Sequence, residues 1–189
     1  MNRYAVGVRR WWAVPAALLL LILVCWTVGA SQVPVPSLTG GLSGAQLAYF
    51  TPVLVVVTTM YCLDRNLRGA ESTAVVPVHL LDTAALVLTV VLAHLAGFLV
   101  GMDIARNITV LLALALVTRR LANEATATAA GLLLLLLNLI LGRAYDPGGH
   151  ASPTWWALTL YPAGSLPAWV VALVLFALAL AIPGARHRA

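Results

Sequence analysis

The sequence contains no lysine, and charged residues of all kinds make up only 9% of its 189 residues. A Walker A loop needs a Gly-Lys-Ser/Thr run to hold nucleotide phosphates, so this chain cannot bind a nucleotide in that way. The charged fraction is far below the roughly 25% of an average soluble domain, and hydrophobic residues make up 62% of the chain. This composition predicts an integral, multi-pass protein of the plasma membrane.

Residues that commonly carry chemistry are also scarce. Cys25 and Cys62 are poorly placed to pair and do not form a metal-binding spacing. No two histidines lie at helical ligand spacing, and no two acidic residues form a pair suited to acid-base chemistry. The serine in "GLSG", residues 41–44, resembles that of intramembrane rhomboid proteases, but no later histidine is positioned to activate it. We therefore predict no metal site, no cofactor and no catalytic residue, and hence a protein that is not an enzyme.

The net charge of +5 comes from arginines at the ends of apolar segments rather than from a basic face interleaved with aromatics, which argues against a nucleic-acid partner. The apolar segments are six: residues 11–30, 46–63, 79–100, 104–118, 125–142 and 167–183. Cytoplasmic loops carry the excess of arginine, and with both termini inside only Arg106 and Arg143 fall outside. The sequence thus predicts an all-α polytopic membrane bundle, residues 1–189, with six transmembrane helices and cytoplasmic termini.

The first segment has an alternative interpretation as a signal peptide, since "VGASQ" could pass for a cleavage site. Its apolar stretch of about 20 residues spans a bilayer, however, and exceeds the roughly 7 to 15 residues of a signal core. An uncleaved first helix is therefore favoured.

Two outer connections differ in kind. "SQVPVPSLTGGLSGA", residues 31–45, is uncharged and rich in Pro, Gly and Ser, which predicts an irregular loop. Residues 143–166 combine turn residues with aromatic ones that suit the headgroup level of a membrane. They predict a short helix that lies on the outer surface or dips into it.

The polar residues Asp103, Arg106 and Asn107 precede or begin an apolar run. A helix over 104–118 is only about 22 Å long, against a hydrocarbon core of about 30 Å, so the turn before it is expected at the outer interface or slightly within it. Asp103 and Arg106 are three residues apart and could partly neutralise each other. They either stabilise the start of a helix or, with Asn107, form a polar patch on a substrate path.

Three small residues repeat at every fourth position in the third segment, at Ala93, Gly97 and Gly101, a pattern that permits close helix packing. His94 beside them is either hydrogen-bonded within the bundle or a member of a proton relay. Asn138 in the fifth segment is either an interhelical hydrogen-bonding residue or a ligand.

Three stretches of the sequence are similar to stretches of one known family of membrane proteins. They are "VPVPSLTGG" at 33–41, "IARNITVLLALALVTRRL" at 104–121 and "WWALTLYPAGSLPAWVVALVLFALAL" at 155–180. With them the chain resembles the membrane subunits of type-2 ABC exporters, particularly the small, alanine- and leucine-rich ones of actinobacteria. Those have six spans with both ends inside, a coupling segment between spans two and three, and an outer dipping element between spans five and six.

The resemblance implies a permease that forms a translocation path in a homodimer or with a related permease, while a separate ABC ATPase subunit binds ATP. It places the cytoplasmic coupling loop at residues 64–78, with Asp64, Arg65, Arg68 and Glu71 as candidate contacts for the ATPase. It also places "ARN", residues 105–107, at the outer end of the fourth span.

An alternative function is a non-transporting scaffold, assembly or immunity subunit of the membrane. The chain is shorter than most permeases of this class, and the segment before its first span is too short for a long connecting helix. The loop at 64–78 could equally be a solvated connector. An adjacent ATPase reading frame would favour export.

Overall fold

The computed structural model describes residues 10–36, 42–64, 78–145 and 151–182. Within these ranges the chain forms six α-helices: α1 (Ala13–Thr27), α2 (Pro52–Asp64), α3 (Val78–Val100), α4 (Met102–Leu121), α5 (Glu124–Leu141) and α6 (Leu166–Ala181). Two antiparallel strand pairs connect them, β1 (Gln32–Pro36) with β2 (Leu42–Gln46) and β3 (Arg143–Tyr145) with β4 (Ala151–Pro153). Short 3-10 helices lie at Leu47–Phe50 and Leu158–Leu160. The predicted helix bundle is confirmed.

Helix α4 is the centre of the bundle. It packs against α2, α3, α5 and α6, and every residue from Ile104 to Ala113 is buried. A helix on the surface of a bundle buries only one face, whereas a central helix is buried on all its faces. The first turns of α4, which carry the predicted polar residues, therefore lie inside the protein.

The outer helices expose large apolar side chains. Leu19 and Leu23 of α1, Phe98 of α3 and Leu173 of α6 are among those exposed. Within the part of the chain that the structure describes, three helices are long and apolar enough to cross a membrane: 47–64, 79–100 and 124–141. The outward-facing aliphatic surface is what a bundle in lipid requires, since a bilayer's hydrocarbon replaces water around it. The number of crossings and their direction stay predictions.

Local sequence explains where several helices begin. The side chain of Asn123 accepts a hydrogen bond from the backbone N–H of Thr126 and so caps α5. Pro167 lies in the first turn of α6, where its missing N–H costs nothing. Gly101 separates α3 from α4 at φ 130°, a backbone conformation that side-chain-bearing residues rarely adopt.

Both strand pairs and Gly101 lie at the same end of the bundle, which we call the hairpin end. The predicted irregular loop at 31–45 is wrong in part, because its flanks pair as β1 and β2. The predicted short helix within 143–166 is replaced by β3, β4 and the 3-10 helix Leu158–Leu160. Proline disfavours helix in these segments, and strand pairing satisfies backbone groups that would otherwise lack partners.

The fourth segment is longer than predicted. Helix α4 has 20 residues, a length of about 30 Å at 1.5 Å per residue. It continues through Asp103 at its start and through Arg119 and Arg120 at its end, an arrangement of charges that complements the helix dipole. Arg106 consequently lies just over one turn into the helix, which begins at Met102 rather than at Ile104 as predicted.

Of the predicted coupling segment, Asp64 ends α2, whereas Arg65, Arg68 and Glu71 lie outside the described residues. The end of the bundle at which this segment leaves α2 is opposite the hairpin end. We call it the Asp64 end.

Candidate functional site

Arg106 is fully buried and is the largest fully buried side chain in the described chain. Its guanidinium donates to three backbone carbonyls of the segment between β4 and α6. Nη1 lies 2.9 Å from the oxygen of Pro162, and Nη2 lies 2.6 Å from that of Tyr161 and 3.5 Å from that of Thr159. Arg106 thereby attaches this segment to the centre of the bundle.

The neighbouring polar residues extend the same contact. Asn107 donates from Nδ2 to the carbonyl of Thr159 at 3.2 Å and accepts from Arg106 Nη2 at 3.4 Å. The hydroxyl groups of Tyr49 and Thr159 lie 2.6 Å apart, and the Tyr49 hydroxyl donates to the carbonyl of Leu135 at 3.3 Å. We call Arg106, Asn107, Tyr49 and Thr159 the polar cluster.

The polar cluster supplies hydrogen-bond partners both to backbone carbonyls of the irregular segment and to the buried guanidinium of Arg106. An irregular segment that enters an apolar bundle leaves carbonyls without partners, and these are tolerated only where protein satisfies them. A buried guanidinium likewise needs acceptors for its fork of N–H donors. Arg106 Nη1 and Nη2 and the carbonyls of residues 159, 161 and 162 satisfy each other, whereas Arg106 Nε is buried without a hydrogen-bond partner among the described residues. The two terminal nitrogens thus hold the irregular segment in place.

Asp103 and Arg106 form no ion pair within 4.0 Å, although the Asp103 carboxylate still interacts favourably with the charge of Arg106 through space. Among the described residues, Arg119 Nε and Glu124 Oε1 form an ion pair at 3.0 Å. Asp103 instead lines a cavity of about 530 Å³ at the hairpin end, together with Arg143, Tyr49 and Gln46. Asp103 and Arg106 therefore differ in their direct contacts, since Arg106 binds backbone carbonyls and Asp103 lines the cavity.

This hairpin-end cavity is bounded by β2, the start of α4 and the segment that Arg106 fixes. Asp103 and Arg143 give it groups of opposite charge, and Tyr49 and Gln46 add neutral hydrogen-bonding groups. Such a lining suits a polar or zwitterionic molecule, because carboxylate and guanidinium recognise opposite charges. Of the predicted polar patch, Asp103 lines this cavity, whereas Arg106 and Asn107 are not among its lining residues. Their role on a substrate path stays a prediction.

The side chains of His94 and Asn138 each form a hydrogen bond within their own helix. His94 Nδ1 lies 2.7 Å from the carbonyl of Val90, and its ring packs against Trp169 with centroids 5.1 Å apart. Asn138 Nδ2 donates to the carbonyl of Leu134 at 2.7 Å. This donation to the residue four positions earlier stays within α5, and the prediction of an interhelical hydrogen bond or a ligand contact for Asn138 stays a prediction.

The small-residue repeat mediates packing where it is helical. Ala93 is buried, and a Cβ built on Gly97 would lie 2.8 Å from the Cβ of Ala105. Helices α3 and α4 thus approach each other closely at Gly97, as small residues permit. Gly101 belongs to the turn between these helices, so its role is conformational.

A second polar contact lies at the Asp64 end. Arg119 donates from Nε to Glu124 at 3.0 Å and from Nη2 to the carbonyl of Leu63 at 2.7 Å. It therefore links the last turn of α4 to the start of α5 and the end of α2. The segment that follows Asp64 starts from a point held by both neighbouring helices.

Sequence reasoning singled out Arg106 and Asn107 but missed Tyr49, Thr159 and the Arg119–Glu124 pair. The Arg119–Glu124 pair could have been predicted from the sequence, because an arginine and a glutamate flank the short break between α4 and α5. Tyr49 and Thr159 had none, because their contact joins positions 110 residues apart in the chain. Among the described histidines, cysteines and acidic residues, no three lie close enough to hold a metal ion.

Comparisons of the chain with models of protein families, with curated proteins and with solved structures gave no match.

Proposed function

We propose that this chain is the membrane-spanning permease subunit of an ABC exporter. In this proposal the six helices all cross the plasma membrane, both termini are cytoplasmic, and the hairpin end faces outward. Two copies, or one copy and a related permease, enclose the translocation path. A separate ATPase subunit binds ATP and drives the path between inward-open and outward-open states.

The observation that carries the proposal is the segment between α5 and α6. After β4 it turns back into the bundle, and Arg106 holds its carbonyls at 159, 161 and 162. The resemblance to type-2 exporters implies an outer dipping element at this place in the chain. Irregular backbone inside a membrane bundle is found where it lines a cavity, and this segment lines the hairpin-end cavity through Tyr161 and Pro162.

The Asp64 end supports a route for coupling. A partner that binds residues 65–77 would act on the end of α2, whose Leu63 carbonyl accepts from Arg119. Arg119 also binds Glu124 at the start of α5. Movement at the end of α2 would therefore reach α4 and α5 through one side chain.

The test is affinity purification of the tagged protein from its native membrane in mild detergent. A paired Arg68→Ala, Glu71→Ala variant removes two candidate contacts of the coupling segment. An Arg186→Ala, Arg188→Ala variant is the control, because it removes charge from the same predicted side outside that segment. We expect an ATPase subunit with the wild type and the control and little with the paired variant.

A preparation without any ATPase would contradict the exporter proposal and favour the scaffold, assembly or immunity subunit. Equal loss of the ATPase in both variants would contradict the specific role of the coupling segment, since only general cytoplasmic charge would then matter.

A further inference from the structure

A second cavity runs as a groove between α4, α5 and α6. Its volume is about 270 Å³, and its walls are mainly aliphatic, with Val110 and Val117 of α4, Leu134 of α5 and Leu175 of α6 among them. An apolar cavity of about 150 Å³ is large enough to bind benzene. The groove therefore has room for part of a hydrocarbon chain.

The groove runs along the helices. Val110 and Val117 are seven residues apart on α4, a distance of about 10 Å along the helix axis. Trp156 and Thr159 line it on the side of the hairpin end. Leu175 in its wall is 41% exposed, so the groove opens toward the apolar surface of the bundle. A lipid chain from the surrounding bilayer would lie in the groove parallel to the helices, which is the direction of lipid chains in a bilayer.

One buried polar group in this wall lacks a partner. Asn138 lines the groove and is 1% exposed. Its Nδ2 donates within α5, but Oδ1 has no hydrogen-bond partner among the described residues. Buried acceptors in proteins are nearly always satisfied, so Oδ1 calls for a donor that the described residues do not supply.

The groove lacks any charged side chain among its lining residues. A phosphate group would find no cation there, and a phosphodiester has no hydrogen to donate to Asn138. A hydroxyl group is a donor that carries no charge. The lining therefore selects a neutral head over an anionic one.

We propose that the groove binds one chain of a neutral lipid that carries a hydroxyl group next to the chain, as a monoacylglycerol does. The hydroxyl donates to Asn138 Oδ1, and the chain extends from there toward Val117. Asn138 lies one turn before the end of α5 at the hairpin end, so the head of the lipid lies on that side. This site is independent of the exporter proposal and requires no ATPase.

The test is native mass spectrometry of the purified full chain in detergent, titrated with 1-monooleoylglycerol or with the same lipid methylated at both hydroxyls. Methylation removes the donors and leaves the oleoyl chain unchanged. We expect the wild type to bind monooleoylglycerol about five-fold more tightly, which is the effect of one net hydrogen bond. Equal affinity for the two lipids in the wild type would overturn the proposal.

Three variants locate the site. Asn138→Leu removes the acceptor at nearly constant volume and should bind both lipids equally. Ala113→Phe places a ring in the groove and should weaken the binding of both. Leu137→Ala, on the exposed side of the same helix, should behave as the wild type.

A preference that persists in Asn138→Leu, or that disappears in Leu137→Ala as well, would overturn the assignment to Asn138. Binding that Ala113→Phe leaves unchanged would place the lipid on the general surface of the bundle and overturn the groove as its site.

Discussion

Arg106 supplies hydrogen-bond donors to backbone carbonyls of a segment that enters the bundle. Replacing it with methionine keeps the length of the side chain but leaves the carbonyls at 159, 161 and 162 without these donors. At about 1 kcal/mol for each lost bond, we expect the free energy of unfolding to fall by roughly 3 kcal/mol. Thermal unfolding of the purified variant in detergent measures the change.

Arg120→Met is the matched control on the same helix. Arg120 has a buried Nη1 without a hydrogen-bond partner in the described chain, so its loss deprives fewer groups of a donor. Its effect should stay within about 1 kcal/mol of zero. Equal destabilisation by the two variants would contradict the role given to Arg106, as would an Arg106→Met protein as stable as the wild type.

Tyr49 joins the polar cluster to α5. Tyr49→Phe removes the 2.6 Å contact with the Thr159 hydroxyl and the 3.3 Å bond to the Leu135 carbonyl while keeping the ring. We expect a loss of about 1 to 2 kcal/mol in the free energy of unfolding. Tyr61→Phe is the control, because Tyr61 is exposed and contacts Arg10 at the surface. A Tyr49 variant no less stable than the Tyr61 variant would show that the cluster does not hold the segment.

Individual residues were predictable only in part. Arg106 and Asn107 stand out because charged and amide groups are rare in an apolar run. Their partners were not predictable, since a backbone carbonyl is present at every residue and carries no signal in the sequence. The nearby carboxylate of Asp103 was the visible candidate, and it lines the hairpin-end cavity instead.

Two glycines within helices, Gly97 in the last turn of α3 and Gly131 in α5, differ in their surroundings. A Cβ on Gly97 would lie 2.8 Å from the Cβ of Ala105, whereas the nearest atom to a Cβ on Gly131 is Leu111 Cδ2 at 3.8 Å. Gly97→Ala should therefore push α3 from α4 and destabilise the protein by about 1 to 3 kcal/mol. Gly131→Ala should be neutral or stabilise it by up to about 1 kcal/mol. Thermal unfolding of both variants tests this, and the opposite order of stability would contradict the close packing of α3 on α4.

The helices were predictable because long apolar runs leave few alternatives in a membrane. The third predicted segment, 79–100, differs from α3 by one residue at its start. The strand pairs were not predictable, because residues 31–45 have the composition of a loop and pairing depends on which extended segments meet. The length of α4 was underestimated because hydropathy ends a segment at its first charges, whereas the helix continues through them.

The orientation of the whole bundle is a prediction from its arginines. With Cys25 and Cys62 replaced by serine, single cysteines at Gly164 and Ala122 report on the hairpin end and the Asp64 end, since both positions are exposed. In intact cells a membrane-impermeant maleimide should label Gly164→Cys, and it should label Ala122→Cys only after permeabilisation. Labelling in the reverse pattern, or of both positions in intact cells, would contradict the predicted topology.

In the proposed exporter, the nucleotide state of an ATPase partner opens and closes a path through the hairpin end. Gln46 reports on this directly, because its exposed side chain lines the hairpin-end cavity. Gly164 is exposed outside that cavity and serves as the control. The measurement is the rate at which a maleimide modifies Gln46→Cys in permeabilised native membranes, where the natural partner is present.

In the same cysteine-substituted background, rates are compared with ATP, with a non-hydrolysable ATP analogue and without nucleotide. The account predicts that the rate at Gln46→Cys differs several-fold between nucleotide states, because alternation between open states changes access to the cavity, while the rate at Gly164→Cys stays constant. Identical rates at Gln46→Cys in all three conditions would contradict the exporter account.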